Sequence, residues 1–480
     1  MPSPFRAPFF ILITFLLATS VFRLYLADKI GLSADEAYYY QWSQRLVLAY
    51  PDHPPMVAWL IRAGTEIAGA NATGVRLFSI VFGALAGIVV YRIARELDFT
   101  KKQALQCALL ENILLMPAVG ALLMTPDVPL ALGWVLSIWI LVRLVKYGRI
   151  RELYLLILPI CFACYAKHSG ILLLPTSLYV IVATPKLRPL LKTIHPWVSF
   201  GIYLGGMTPW LAAEWHQQFA SLLHQSAHAV GTLPGNHVSI VDFPIRWAEL
   251  LLGQFGLLSP LVFIWSVEFA RHIFKHPLPY LPVFAGVIIP VLATAAVALS
   301  THPEQNWASI GHPLASILVV AALRERARFQ QLFTWTFSTA LLFTSIVHLH
   351  AVTPFLPLSP ERDPLTRLAG WEQLASVSQE LADLDCVICD NYGLAAQLNW
   401  QINRPQRRIS IIGINRPYSK PTTGNWLILD EKDDFGNHTL LPACRAIEPL
   451  GQIVMIRGNT VLRVIDLSRG IHCESATVSH

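Results

Sequence analysis

Phe9-Phe10-Ile11-Leu12-Ile13-Thr14-Phe15-Leu16-Leu17, preceded by Arg6, opens an apolar run that continues through Leu26. A secretory leader has a shorter apolar core and ends at a small-residue cleavage site. No convincing site of that kind follows, and the run approaches the roughly 20 residues needed to cross about 30 Å of hydrocarbon. It predicts an uncleaved membrane span over 8–26, and the rest of the chain is parsed from there.

The pattern recurs. Of 480 residues, 54% are hydrophobic and only 14% charged, and the mean hydropathy is +0.49. So apolar a chain cannot hide its surface in a soluble core, which makes the bilayer its solvent. About eleven segments approach spanning length: 8–26, 75–95, 103–123, 127–145, 153–166, 169–183, 196–213, 245–269, 279–299, 308–323 and 331–351. Alternate connections carry the basic residues: Arg92 to Lys102, Arg143 to Arg151, Lys186 to Lys192, Arg271 with Lys275, and Arg324 to Arg328. The intervening ones carry Asp35, Glu36, Asp52, Asp127, Glu214, Asp242 and Glu304. Basic loops stay cytoplasmic, so this alternation predicts a cytoplasmic N-terminus, with the acidic loops and the C-terminal tail outside. The formal charge of +6 is then a record of topology, and no nucleic-acid partner is expected.

From about residue 353 the composition changes to short β-type runs between polar turns: Cys386–Cys389, Ile409–Ile412, Trp426–Leu429 and Val461–Ile465. Helices are predicted over Leu374–Leu384 and Tyr392–Ile402. The expected organisation is a polytopic helical membrane domain over 1–352, with an outer loop at 27–74, and a small extracytoplasmic α/β domain over 353–480. Seven cysteines include the pairs Cys161/Cys164 and Cys386/Cys389. A structural zinc needs four ligands, and no further pair supplies them, so packing thiols or one disulfide in the tail are expected.

The outer loop concentrates ionisable and aromatic residues. In Ser33-Ala34-Asp35-Glu36-Ala37-Tyr38-Tyr39-Tyr40-Gln41-Trp42, Ser33 and Glu36 have capping-box spacing, and Asp35 in the first turn suits the helix dipole. The same two acids, just outside a span and followed by aromatics able to line a sugar or lipid cleft, also read as a site; both readings can hold. Tyr50-Pro51-Asp52-His53-Pro54-Pro55-Met56 starts a second short helix, with Asp52 or His53 as a simple cap or as part of the same site.

These segments, followed in order by Thr125-Pro126-Asp127, Tyr165-Ala166-Lys167-His168-Ser169-Gly170, Gln254-Phe255-Gly256-Leu257-Leu258-Ser259-Pro260, Asn306-Trp307 and Asp363-Pro364-Leu365-Thr366-Arg367-Leu368-Ala369-Gly370-Trp371, resemble the polyprenyl-phosphate-sugar-dependent membrane glycosyltransferases. That family includes the protein O-mannosyltransferases and the bacterial transferases that add sugars to lipid A. The resemblance implies a GT-C-like fold and transfer of one sugar, with inversion, from a polyprenyl-phosphate donor to a hydroxyl of a glycolipid, polysaccharide or protein outside the inner membrane. A monomeric enzyme is expected.

The resemblance also implies roles. Asp35 is the base, supported by Glu36, because a carboxylate can take the hydroxyl proton as the new bond forms. The leaving phosphate needs only cations and dipoles. His53, where the lipid A transferases carry a lysine, Lys167, Asn306 and Tyr50 are expected on donor phosphate and lipid; Lys167 also reads as a snorkelling interfacial lysine. Asp127 and Tyr39 are expected to position the acceptor, with helix capping as the plain alternative for Asp127. Asp52 matches an acidic metal-ligand position in the lipid A transferases. With His224 and His228, one helical turn apart in a stretch that also holds His216 and His237, it suggests a divalent ion, zinc, manganese or magnesium, although the spacing closes no complete site. A transporter or flippase for a polyprenyl-linked glycan is the rival class. It predicts ionisable residues near the bilayer midplane, whereas the sequence gathers them at the outer ends of spans. An inactive scaffold acting through the tail is a third.

Overall fold

The computed structural model describes residues 7–230, 240–273, 277–360, 362–379, 384–402, 410–413, 424–431, 443–457 and 460–474. They form two compact units, one of Met1–Tyr25 with Leu46–Ile346, the other of Leu26–Arg45 with Val347–His480. Residues 26–45, expected with the membrane-embedded part, thus group with the tail.

Among the described residues, six helices are long and apolar enough to cross a membrane: Ala7–Lys29, Ala72–Glu96, Asp127–Tyr147, Pro279–Val297, Gln305–Leu323 and Phe329–Val352. Two sharply bent pairs, His168–Ala183 with Pro185–Lys192 and Phe243–Leu257 with Pro260–Ala270, raise the number to eight if each is one span. The remaining expected spans take other forms. Segment 196–213 is one helix, His195–His216; 153–166 is divided between Ile150–Leu155 and Ile157–Ala166; and 103–123 breaks at Leu114 into Lys101–Ile113 and Leu115–Gly120.

The Leu114 break has a local cause. Pro117 has no N–H to offer the Ile113 carbonyl, and a continuous helix would drive its ring against that carbonyl. With Leu114 extended (ψ 140°), Pro117 falls in the first turn of the next helix, where its missing donor costs nothing. The freed Ile113 carbonyl accepts from Thr344 Oγ1 at 2.7 Å. Pro290 leaves the Gly286 carbonyl without its helical donor in the same way, and Trp134 Nε1, fully buried, donates to it at 2.9 Å. In a lipid-facing protein such freed carbonyls must be satisfied from neighbouring helices, and here they are.

Three of the basic loops of this unit meet. Lys146 Nζ pairs with Asp98 at 2.8 Å, Arg143 with Glu152 at 2.8 Å, and Lys186 Nζ donates to the Lys146 carbonyl at 3.2 Å. The Arg143 contact holds the Glu152 carboxyl below its ordinary range.

The second unit holds a five-stranded sheet of β1 (Cys386–Cys389), β2 (Ser410–Gly413), β3 (Gly424–Glu431), β4 (Ala443–Arg457) and β5 (Thr460–Glu474), ordered β2-β1-β3-β5-β4. β1 runs parallel to β2 and β3, while β5 is antiparallel to β3 and β4. The four predicted β-runs fall on β1, β2, β3 and β5, although Ile409 lies outside the described residues. β4 was not foreseen, because Pro449 and Gly451 interrupt its pattern; the structure absorbs them in a register shift. The predicted helix at Tyr392–Ile402 is present. That at Leu374–Leu384 is a 3₁₀ segment, Trp371–Gln379, and residues 380–383 lie outside the described residues.

The tail disulfide joins Cys444 to Cys473, across β4 and β5. Cys386 and Cys389 are buried thiols outside that disulfide. Three positions apart on one strand, they point to opposite faces: Cys389 packs with Leu394 and Leu427, Cys386 with Ile388 and Trp426.

Candidate active site

In the second unit, Ser33 and Glu36 form the expected capping box: Ser33 Oγ accepts from the Glu36 amide at 3.1 Å, and the Ser33 amide donates to Glu36 Oε2 at 3.0 Å. Glu36 is fully buried by this role, while its neighbour Asp35 is exposed and accepts from Tyr392 Oη at 2.8 Å. Tyr39 is buried against the rings of Tyr38 and Trp42.

In the first unit, Lys167 Nζ donates to both oxygens of Asp127, at 2.8 and 3.0 Å. The Lys167 side chain is only 14% exposed. Asp127 lies in the first turn of its helix without capping it; Pro126 occupies the cap position, and no side chain caps the end. Gly170 makes the pairing possible. A Cβ there would lie 2.5 Å from the Ala163 carbonyl carbon, so only glycine lets the chain turn back this tightly behind Lys167.

Asp127 and Asn306 line a common cavity of about 220 Å³ with mostly apolar walls, including Phe82, Leu123 and Leu132. Glu111 also lines it and is only 2% exposed. Within Coulombic reach of Glu111 lies Arg23, itself 4% exposed, whose Nη2 donates to the Asn112 carbonyl and side-chain oxygens at 2.9 and 3.0 Å. No motif marks this pair, and Glu111, within the predicted span 103–123, corrects the expectation that ionisable groups gather at the outer ends of spans. A lone acid in a predicted span was the available signal.

Near Asn306, Gln254 Nε2 donates to the Gln305 carbonyl at 2.9 Å, and Gln254 Oε1 lies 2.8 Å from His312 Nε2. Since Gln254 Oε1 can only accept, His312 Nε2 carries the proton. The two motifs containing Gln254 and Asn306 are thereby clasped together.

Tyr50 is buried, and its hydroxyl accepts from the Val47 amide at 3.2 Å; burial pushes the phenol pKa up. Asp52 is 4% exposed, with Oδ1 3.6 Å from His224 Nε2. The His53 ring lies 6.3 Å from that of His168. Ser221 Oγ donates to the fully buried Glu214 at 2.6 Å and therefore accepts from His168 Nε2 at 3.0 Å. Of the expected metal ligands, Asp52 and His224 come together; the side chain of His228 and all of His237 lie outside the described residues. Among the described residues no group of three His, Cys, Asp or Glu side chains could hold a metal ion.

The segment beginning at Asp363 braces the second unit. Asp363 caps it by accepting from the Leu365 amide at 2.9 Å, and its Oδ2 takes Arg457 Nη1 at 3.0 Å and His350 Nε2 at 3.2 Å. Its final residue, Trp371, lies under the Arg463 guanidinium, 4.3 Å from the ring centre.

Residues 52–212 match the dolichyl-phosphate-mannose-protein mannosyltransferase family. The chain is 24% identical over 403 residues to the lipid A galacturonosyltransferase RgtD of Rhizobium johnstonii, covering 80% of each protein. Among solved structures it is similar to ArnT from Cupriavidus metallidurans, in the apo state (TM-score 0.60, 13% identity, 95% of this chain and 97% of that one) and bound to undecaprenyl phosphate (TM-score 0.58, 14% identity, the same coverage). It is also similar to the archaeal oligosaccharyltransferase AglB from Archaeoglobus fulgidus (TM-score 0.52, 11% identity, 87% and 69%). These likenesses are to sugar transferases, and the solved structures show that the chain shares the ArnT-like fold. They support the reading of this chain as a glycosyltransferase of the polyprenyl-phosphate-sugar-dependent kind, which its ordered motifs implied.

Proposed function

We propose that this enzyme moves one sugar, with inversion, from a polyprenyl-phosphate donor to a hydroxyl of an envelope glycolipid of the lipid A type, working as a monomer at the periplasmic face of the bacterial inner membrane. The observation that carries the reading is the cavity where Asp127, held by Lys167, meets Asn306 between apolar walls. It combines apolar walls able to take a lipid with the amide of Asn306; the cavity's own ionisable residues, Glu111 and Asp127, are acids, so the cation for a phosphate is Lys167, held beside it by Asp127.

The acceptor oxygen attacks the anomeric carbon as its proton passes to the Asp35 carboxylate. The bond from that carbon to the phosphate oxygen breaks on the opposite face, its electron pair leaving with the polyprenyl phosphate. Lys167, His53, Asn306 and Tyr50 take the donor phosphate and lipid, where a cation stabilises the charge as it grows. Asp127 orients Lys167 and, with Tyr39, the acceptor. Glu36 holds the start of the Asp35 helix. A divalent ion would take Asp52 and His224 as donors, joined by His228, and would neutralise phosphate charge; two described donors fall short of a closed site, and no step above requires it.

Eleven spans with the N-terminus inside and the tail outside remain part of the proposal. The meeting of three of the basic loops within the first unit supports that parity. The Cys444–Cys473 disulfide supports an oxidising compartment for the tail. Polysaccharide and protein remain the alternative acceptors.

The buried Arg23–Glu111 pair favours a second reading, transport of a lipid-linked glycan, which wants charge inside the spans. Purified enzyme in detergent separates the two, because detergent leaves no compartments to transport between. Transfer of sugar from a polyprenyl-phosphate donor to lipid A is expected there, and it is lost in Asp35→Asn. Mass spectrometry of envelope glycolipids with and without the gene identifies the sugar. Full transfer by folded Asp35→Asn protein would sink the base assignment, and no transfer to any acceptor would sink the enzyme reading.

A further inference from the structure

The helix that carries Asp35, Ala34–Ser43, lies along the helix Tyr392–Ile402 within the second unit. The backbone just before Asp35 is held at three points. A Cβ on Gly31 would meet the Leu368 carbonyl oxygen at 2.6 Å; the Leu32 carbonyl accepts from the fully buried Gln397 Nε2 at 2.6 Å; and a Cβ on Gly393 would lie 3.1 Å from that of Ala34. Beyond Asp35, Tyr38 lies 4.8 Å from the Tyr392 ring, and Tyr40 meets Trp400 edge-on at 4.8 Å.

This packing places Tyr392 Oη 2.8 Å from Asp35 Oδ1. Tyr392 opens the helix that follows β1, so the phenol reaches Asp35 from a framework of buried strands. The carboxylate torsion of an aspartate is broad, and a single strong donor on one oxygen fixes the plane of the group. Among the described residues no group donates to Asp35 Oδ2, which is left to receive a proton.

We infer that Tyr392 is a positioning residue for sugar transfer: its phenol pins Asp35 Oδ1, so that Oδ2 points to the acceptor hydroxyl. The inference rests on Asp35 being the base. It gives the C-terminal unit a part in the chemical step itself, acting through Asp35.

The test uses the full-length enzyme with a polyprenyl-phosphate sugar and lipid A. Tyr392→Phe keeps the ring packing and removes only the donor. Its kcat is expected to fall roughly 10- to 100-fold, the range for misaligned catalytic groups, with KM for both substrates within about twofold of wild type. In an Asp35→Glu background, whose longer side chain has already lost the register, adding Tyr392→Phe is expected to cost nothing further. A wild-type kcat in Tyr392→Phe overturns the inference, as does an equal loss in both backgrounds, whatever happens to the thermal midpoint. If Asp35→Asn is itself fully active, the base assignment fails, a result distinct from an inert Tyr392→Phe beside a dead Asp35→Asn.

Discussion

Lys167 grips Asp127 with one ammonium group across both carboxylate oxygens, at 2.8 and 3.0 Å, joining a loop after one helix to the first turn of another 40 residues earlier. Each residue alone had a plain reading, as interfacial lysine or helix cap; the cap position is taken by Pro126, and the two side chains hold each other. Lys167→Met leaves Asp127 as an unbalanced, partly buried charge and withdraws the cation proposed for the donor phosphate. Transfer is expected to fall by about 100-fold or more. The reversed pair Asp127→Lys with Lys167→Asp is expected to recover the thermal midpoint without recovering transfer. Recovery of both would reduce the pair to a structural bridge.

Arg23 and Glu111 are nearly water-free and lie within Coulombic reach of each other, while the Arg23 guanidinium takes its hydrogen bonds from Asn112. Glu111→Ala removes the opposite charge near the guanidinium, which keeps its bonds to Asn112, and is expected to lower the thermal midpoint in detergent. Arg23→Met combined with Glu111→Leu removes both charges and is expected to restore most of that loss. If the double variant is stable but inactive, the pair serves the cavity chemically.

Thr344 is expected to matter because of Pro117. Thr344→Val leaves the Ile113 carbonyl without its donor and is expected to cost about 1 kcal/mol, the usual scale for one interhelical bond in a membrane protein. In a Pro117→Ala background, the new amide can reach that carbonyl, and the effect of Thr344→Val is expected to shrink. The comparison is made by thermal unfolding of the four proteins.

Asp390, at the end of β1, has its pKa pushed up to about 6, first by burial and then by Glu431 and Asp430, against the bonds it accepts from the Glu431 and Asn391 backbones. With the folded value above the unfolded one, the folded state holds the proton more tightly. Stability is therefore fully present below about pH 4 and declines as pH rises through about 6. Asp390→Asn is expected to stabilise the second unit above pH 6 by about 1 kcal/mol, allowing for solvent screening of a half-buried group, and to give no advantage near pH 4. Unfolding followed at both pH values checks the sign.

Hydropathy averaged over some twenty residues is a local property, so the sequence alone located all six long spans and foretold the two broken ones as hydrophobic segments. Capping chemistry is equally local, and the Ser33–Glu36 box stands as read. The four short β-runs were legible because each is a local apolar run bounded by polar turns; β4 was not, because a proline and a glycine hid it. The ordered motifs named Asp35, Asp127, Lys167 and Asn306 without saying what touches what.

Those contacts belong to the tertiary structure. Tyr392 and Asp35 are 357 positions apart, and Arg23 and Asn112 are 89 apart. Nothing in the local pattern at either end encodes the other, because such pairs form only when packing has brought distant backbones within a few ångströms. The sequence by itself determined that this chain lives in a membrane and which residues carry its charge. The fold alone decided that Asp35 is held by the C-terminal unit, and that Glu111, unremarked in the sequence, sits at the cavity shared by Asp127 and Asn306.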